Sequence, residues 1–168
     1  MTDRARAAAT LGVLALLLVL GVRWGLTQVT EPFPETVSAP SICTPTLVTA
    51  GQTLRPEDIT VSVLNASTVG GLAGSTMEKL VDAGFGRGEI GDAPDAGVRT
   101  VQVYAADRRR SDVALLRSYL GPRLDVVDTE STRPGLVIVV GQKFAGVRSG
   151  RGIITARDDL TVCRPLPE

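Results

Sequence analysis

Between Ile59 and Ala73 the chain switches period, and that switch restricts it to folds in which a strand runs directly into a helix. Ile59, Val61 and Val63 alternate with Thr60 and Ser62, the two-residue period of a strand. Asn65-Ala66-Ser67-Thr68 interrupts the alternation, and Val69-Gly70-Gly71-Leu72-Ala73 opens a segment of helical spacing. Asn, Ser and Thr cap helix starts through a side-chain oxygen, and the first amides of a helix lack intrahelical partners. Asn65, Ser67, Thr68, Gly70 and Gly71 are therefore candidate ligands for an anion or a sugar hydroxyl, and a capped helix start is the plainer reading of the same residues.

Downstream, the pattern repeats. Val69, Leu72, Ala73, Thr76, Leu80 and Val81 recur at helical spacing against Glu78, Lys79 and Asp82, and Gly84 is placed to close the helix. Gly86 to Ile90 and Thr100 to Tyr104 read as strands on either side of an irregular turn through Pro94 and Gly97. Asp107 or Ser111 is positioned to cap a second helix, Asp112 to Leu120, which stops at Gly121-Pro122. Leu124 to Val127 is a short strand. Leu136-Val137-Ile138-Val139-Val140 is an unbroken apolar run between Gly135 and Gly141, the pattern of a central strand buried on both faces. The order βαββαββ predicts an α/β sandwich, a mixed sheet with helices packed on it. One further strand is expected near Ile153 and Ile154.

Ahead of this domain, Ala7 to Val22 is an apolar run broken only by Thr10, and it ends at Arg23-Trp24. With those two residues at the interface and Leu26 included, residues 7–26 approach the roughly 20 needed to span a bilayer. Arg4 and Arg6 place residues 1–6 in the cytoplasm by the positive-inside rule, which puts the rest of the chain outside. A cleaved signal peptide is the alternative, with Val37-Ser38-Ala39 as the cleavage candidate. Residues 27–57, with Pro32, Pro34, Pro40 and Pro45 among Ser and Thr, read as an extended linker. In an oxidising exterior thiols pair, so a Cys43–Cys163 disulfide is expected to tie the tail, 145–168, back to the linker. Two unrelated free thiols are the alternative.

Composition removes several functions. The chain has no histidine, hence neither the commonest general base near neutral pH nor the commonest metal ligand, and two distant cysteines make no local metal site. Neither a metal nor any other cofactor is expected. Eighteen basic residues balance 18 acidic ones, unlike a nucleic-acid binder. The Asn65 to Gly71 junction lacks the Gly-Lys-Ser/Thr of a phosphate-binding P-loop. Gly84-Phe85-Gly86-Arg87-Gly88 follows a helix instead of opening one, so it is a cap and turn and not a dinucleotide fingerprint. Arg108-Arg109-Arg110 is the densest basic run, suited to anionic polymers or lipid headgroups, although a solvated surface explains it too. Asp125 with Asp128 and Asp158-Asp159 are carboxylate pairs with no nucleophile beside a base, so no catalytic residue is assigned.

Val61 to Ser67, Gly71-Leu72-Ala73, Leu80 with Ala83-Gly84-Phe85, Thr100 to Tyr104, the Leu116 to Gly121 helix end and Val137 to Gly141 together resemble the LytR C-terminal domain family of Gram-positive and actinobacterial envelope proteins. The resemblance covers residues 58–144. The family's usual Asn-Gly-Thr stands here as Asn65-Ala66-Ser67, a turn less free to adopt positive φ. The resemblance implies a short form of the family: one anchor, a linker and one domain. It further implies a non-enzymatic binding or scaffold module for cell-wall integrity, contacting peptidoglycan, wall glycopolymer, a glycopolymer transferase or another envelope protein. A transferase or hydrolase of wall glycopolymer and a self-associating membrane organiser are the alternatives.

Overall fold

The computed structural model describes residues 2–29, 42–129 and 131–166, in two units, Met1–Pro40 and Ser41–Glu168. The cleavage candidate Val37-Ser38-Ala39 and prolines 32, 34 and 40 lie outside the described residues.

The first unit is one helix, α1 (Thr2–Val29). Its stretch Arg6–Trp24, 19 residues of mean hydropathy 2.0, is long and apolar enough to cross a membrane. Its leucines and valines, Leu11, Leu14 and Val19 among them, are exposed around the helix and bury nothing within the unit. A helix apolar on all sides finds its partner in lipid or in a large core. At 1.5 Å per residue this stretch covers about 28 Å, close to the hydrocarbon thickness of a bilayer.

The second unit is built on a five-stranded mixed sheet. Its strands are β3 (Thr60–Asn65), β4 (Gly86–Asp92), β5 (Val101–Tyr104), β6 (Leu124–Val127) and β7 (Leu136–Val140), in the spatial order β4-β3-β7-β5-β6. β3 runs parallel to β4 and β7, β5 runs parallel to β6, and β5 meets β7 antiparallel. Helices α2 (Leu72–Asp82) and α3 (Ser111–Leu120) provide the crossovers from β3 to β4 and from β5 to β6. This is the βαββαββ order read from the sequence. The apolar run 136–140 is the middle strand, buried along its whole length.

The periodicities locate the faces. Val61 and Val63 of β3, Val101 and Val103 of β5, and Leu136, Ile138 and Val140 of β7 join Met77 and Leu80 of α2 and Val113, Leu116 and Leu120 of α3 in the main core. The alternate residues Leu64, Val137 and Val139 face the other way, against Val98 and the partly buried Ala93 and Tyr104. α2 closes as Gly84 suggested: Gly84 N–H donates to the Val81 carbonyl (2.8 Å) and Phe85 N–H to that of Leu80 (3.0 Å), with Phe85 and Leu80 both in the core. That is a Schellman termination with its hydrophobic contact.

Two antiparallel ladders flank the sheet. β1 (Cys43–Val48) pairs with β9 (Leu160–Pro165), and β2 (Thr53–Leu54) with β8 (Ile154–Thr155), the latter being the expected late strand. The segments read as linker and tail thus meet each other, and they contribute Val48, Leu54, Ala156, Leu160 and Val162 to the main core. The disulfide joins Cys43 to Cys163, 120 positions apart, with Cα atoms at 5.4 Å. Between the β1–β2 and sheet segments the 3₁₀ turn Pro56–Asp58 is tied down by Asp58, which pairs with Arg164 of β9 (2.7 Å). Pro45 sits in β1 without disrupting a ladder because the two-stranded ribbon has edges where a missing N–H costs nothing.

Candidate functional site

The junction between β3 and α2 is organised by Asn65. This residue ends the strand at 9% exposure, its N–H and carbonyl already set in the sheet and its carbonyl accepting from Ala93 N–H (2.9 Å). Its side chain turns on the loop: Oδ1 accepts from the Ser67 amide (3.0 Å) and the Ser67 hydroxyl (2.7 Å), while Nδ2 donates to the Val69 carbonyl (2.9 Å). Ser67 Oγ accepts in turn from Val69 N–H (3.1 Å). The polar groups expected to face a ligand are thus used to hold the loop.

The expectation that Asn65, Ser67 or Thr68 caps the helix is corrected. α2 begins at Leu72, its N-cap is Gly71 at φ +75°, and no side-chain oxygen caps it. Only glycine takes that left-handed conformation without strain, so Gly71 fixes where the helix starts, and Val69 is left 46% exposed outside it. Thr68, Gly70 and Gly71 are exposed on the loop, and Ser67 is half-buried. Asn65→Ala removes three side-chain hydrogen bonds and is expected to lower stability by about 1 to 2 kcal/mol. Amide exchange over 66–71 should speed up, and unchanged protection there would sink the stapling role.

The basic run does not act as a unit. Arg108 and Arg109 are exposed, whereas Arg110 is folded onto Asp112, Nε to Oδ1 at 3.1 Å and Nη2 to Oδ2 at 2.6 Å, and also donates to the Thr161 carbonyl of β9 at 2.9 Å. Its hydrogen bond to Asp112 raises the guanidinium pKa above its ordinary value, against the opposing effect of burial. The predicted caps of α3 are also reassigned: Ser111 Oγ accepts from Arg157 N–H (3.0 Å), Asp107 Oδ1 from Arg109 N–H (2.8 Å), and Arg110 occupies the N-cap without a side-chain cap bond.

Arg110 and Asp112 line a cavity of about 220 Å³ together with Thr60, Gly135 and Cys163. Among the cavity-lining residues described, this is the Asp–Arg pair in direct contact; Asp82 and Arg148 line another cavity without an ion pair between them. Asp112, 1% exposed, accepts from Arg110 twice and from Val113 N–H (2.8 Å). Both of its oxygens are therefore engaged within the fold. The sequence reading placed Arg110 in a basic patch or on a solvated surface and gave Asp112 only as a helix start; the Arg-x-Asp spacing there was the available signal for their pairing. Asp125 and Asp128 lie on or just after β6, and Asp159 Oδ1 accepts from Ala50 N–H (2.8 Å), so neither carboxylate pair converges on a cavity.

The fold and these sites define a class: a small disulfide-closed α/β domain, accompanied by a helix apolar enough to cross a membrane. The chain belongs to the LytR cell envelope-related transcriptional attenuator family, which it matches over residues 58–144. Among solved structures it is similar to the soluble domain of a conserved hypothetical secreted protein from Mycobacterium marinum, at 20% identity over 57% of this chain and 67% of that one, with a TM-score of 0.46. No curated protein matches it.

Proposed function

We propose that this chain is a single-pass membrane protein whose α/β domain is held outside the cell membrane as a non-catalytic binding or scaffold module for the cell wall. It contacts peptidoglycan or wall glycopolymer, or an envelope enzyme such as a glycopolymer transferase. The observation that carries the reading is the Cys43–Cys163 bridge, which joins the two flanking segments of the family domain. Disulfides persist in oxidising compartments, and Arg4 and Arg6 ahead of α1 favour the orientation that delivers the domain to one. The fully engaged Asp112 supports a role without catalysis, and the self-closed Asn65 loop is read as a structural junction.

The test is co-sedimentation of the detergent-solubilised full chain with purified cell walls, alongside crosslinking capture from membranes. Wall pelleting or a specific envelope partner is the expected result. A chain that stays in the supernatant and crosslinks to no envelope protein would remove the proposal's support.

A further inference from the structure

The tail folds back over α3 and gathers cations that lie far apart in the sequence. Arg117 of α3 and Arg148 and Arg151 of the tail line a cleft of about 510 Å³ with Ser118, Ser149 and Gly150. The tail is fixed there: Arg148 N–H donates to the Tyr119 carbonyl (3.0 Å), Arg151 N–H to Ser118 Oγ (2.9 Å), and Tyr119 OH to the Arg151 carbonyl (2.9 Å). Gly150 lies against the Tyr119 ring and Ser118 Oγ, so close that a Cβ would stand 2.5 Å from the ring.

The cleft continues at both ends. Through Pro122 and Arg148 it adjoins a cavity of about 280 Å³ bearing Arg123 and Lys143. Through Ala114 and Arg151 it adjoins one of about 380 Å³ bearing Arg109 and Arg157. Among the described residues no carboxylate lines any of the three, although the chain holds as many acids as bases. The acid bordering this face is Asp82, in a neighbouring cavity shared with Lys79 and Arg148. The ion pairs of the described residues lie elsewhere, on Arg55, Arg87, Arg110, Arg133 and Arg164. Arg117 Nε is shielded from solvent and has no acceptor among the described residues. Buried donors without acceptors are rare and call for an explanation.

We infer that this groove binds a linear polyanion, a polymer carrying repeated phosphate or carboxylate groups. Guanidinium groups suit both anions through paired N–H donors. Three linked concavities favour an extended chain over a single ion. A membrane surface is disfavoured because the cations line hollows and Ile153 is the one large exposed hydrophobic among the described lining residues, short of the apolar face that docking to a bilayer needs. The inference rests on the wall-binding reading and gives it a ligand class.

The full chain in phosphatidylcholine nanodiscs would be titrated with linear polyphosphate, polygalacturonate, neutral dextran and inorganic phosphate. Binding to the two polyanions is expected, weakening at least tenfold or so between about 50 and 300 mM salt, with none to dextran. Arg117→Gln and Arg148→Gln should each weaken binding roughly fivefold. Arg151→Glu should do more, and because the Arg151 side chain has no partner among the described residues it tests the groove without a stability change. Arg87→Gln, whose cation is paired with Glu78, should bind as the parent does. The inference is overturned by absent polyanion binding, by binding that ignores Arg151→Glu, by inorganic phosphate binding as tightly as polyphosphate, or by binding only to phosphatidylglycerol vesicles. Walls stripped of anionic polymer separate the two ideas. Sedimentation with intact walls that is indifferent both to stripping and to Arg151→Glu keeps the wall-binding reading and discards the groove. Polyanion binding in solution without sedimentation on any wall does the reverse.

Discussion

Loss of the Cys43–Cys163 bridge, by reduction or by the paired change Cys43→Ala and Cys163→Ala, is expected to destabilise the second unit by about 4 to 5 kcal/mol. The bridge closes a loop of 120 positions, and the entropy a crosslink removes from the unfolded chain grows with the logarithm of that length. The folded side of the balance points the same way. β1 and β9 are joined by a six-pair antiparallel register and deliver Val48, Leu160 and Val162 to the core, so separating them exposes apolar surface as well as unpaired backbone. An isolated two-stranded ribbon is marginal in water, which makes this ladder the place where opening begins once the crosslink is gone. Urea unfolding of the detergent-solubilised chain, oxidised against reduced and followed by circular dichroism, measures the difference. A shift below about 1 kcal/mol would mean that core packing alone holds the ladder.

What could be read from the sequence divides along the same line, between contacts that are local and contacts that are not. The run 136–140 declared itself central because a strand covered on both faces has no polar alternation to keep, and β7 is the middle strand. α2 declared its end because a Schellman closure needs glycine just past the last turn, and Gly84 stands there. Its start was misplaced because Asn65, Ser67 and Thr68 carry the right chemistry for a cap, while the choice between capping a helix and stapling a loop is made by Gly70-Gly71 behind them. β1, β2 and β9 were read as linker and tail since Pro- and Thr-rich segments bury little alone. Their pairing exists only when chain ends over a hundred positions apart meet. The cationic groove was illegible for that reason as well: Arg117 and Arg148 are neighbours only after the tail has folded back on α3. The Arg108-Arg109-Arg110 run, conspicuous as a string, is divided by the fold, with Arg109 on the groove and Arg110 spent on Asp112.

Gly135→Ala is expected to cost about 3 kcal/mol or more, or to prevent folding, whereas Gly74→Ala should stabilise by up to about 1 kcal/mol. In the sequence the first looks like a strand boundary and the second like a weak point in a helix. In the structure Gly135 has φ +72°, and a Cβ there would run into the backbone carbonyl of Thr60, with the Thr60 carbonyl carbon at 2.5 Å. Backbone cannot swing aside as a flexible side chain does, so the strain of a left-handed alanine adds to a displacement of β3 itself. That displacement would propagate, because β3 and β7 share one continuous parallel register from Val61↔Leu136 to Asn65↔Val140. Sliding its start therefore disturbs the strand end from which Asn65 holds the loop before α2. Gly74, by contrast, is on α2 with ordinary helical backbone and open space where a Cβ would stand, so alanine there only restricts the unfolded chain and improves helix propensity. Equilibrium urea unfolding of the two variants beside the parent distinguishes the positions. If Gly135→Ala unfolded within about 0.5 kcal/mol of the parent, the close approach of β7 to Thr60 would not be the constraint that sets where the central strand begins.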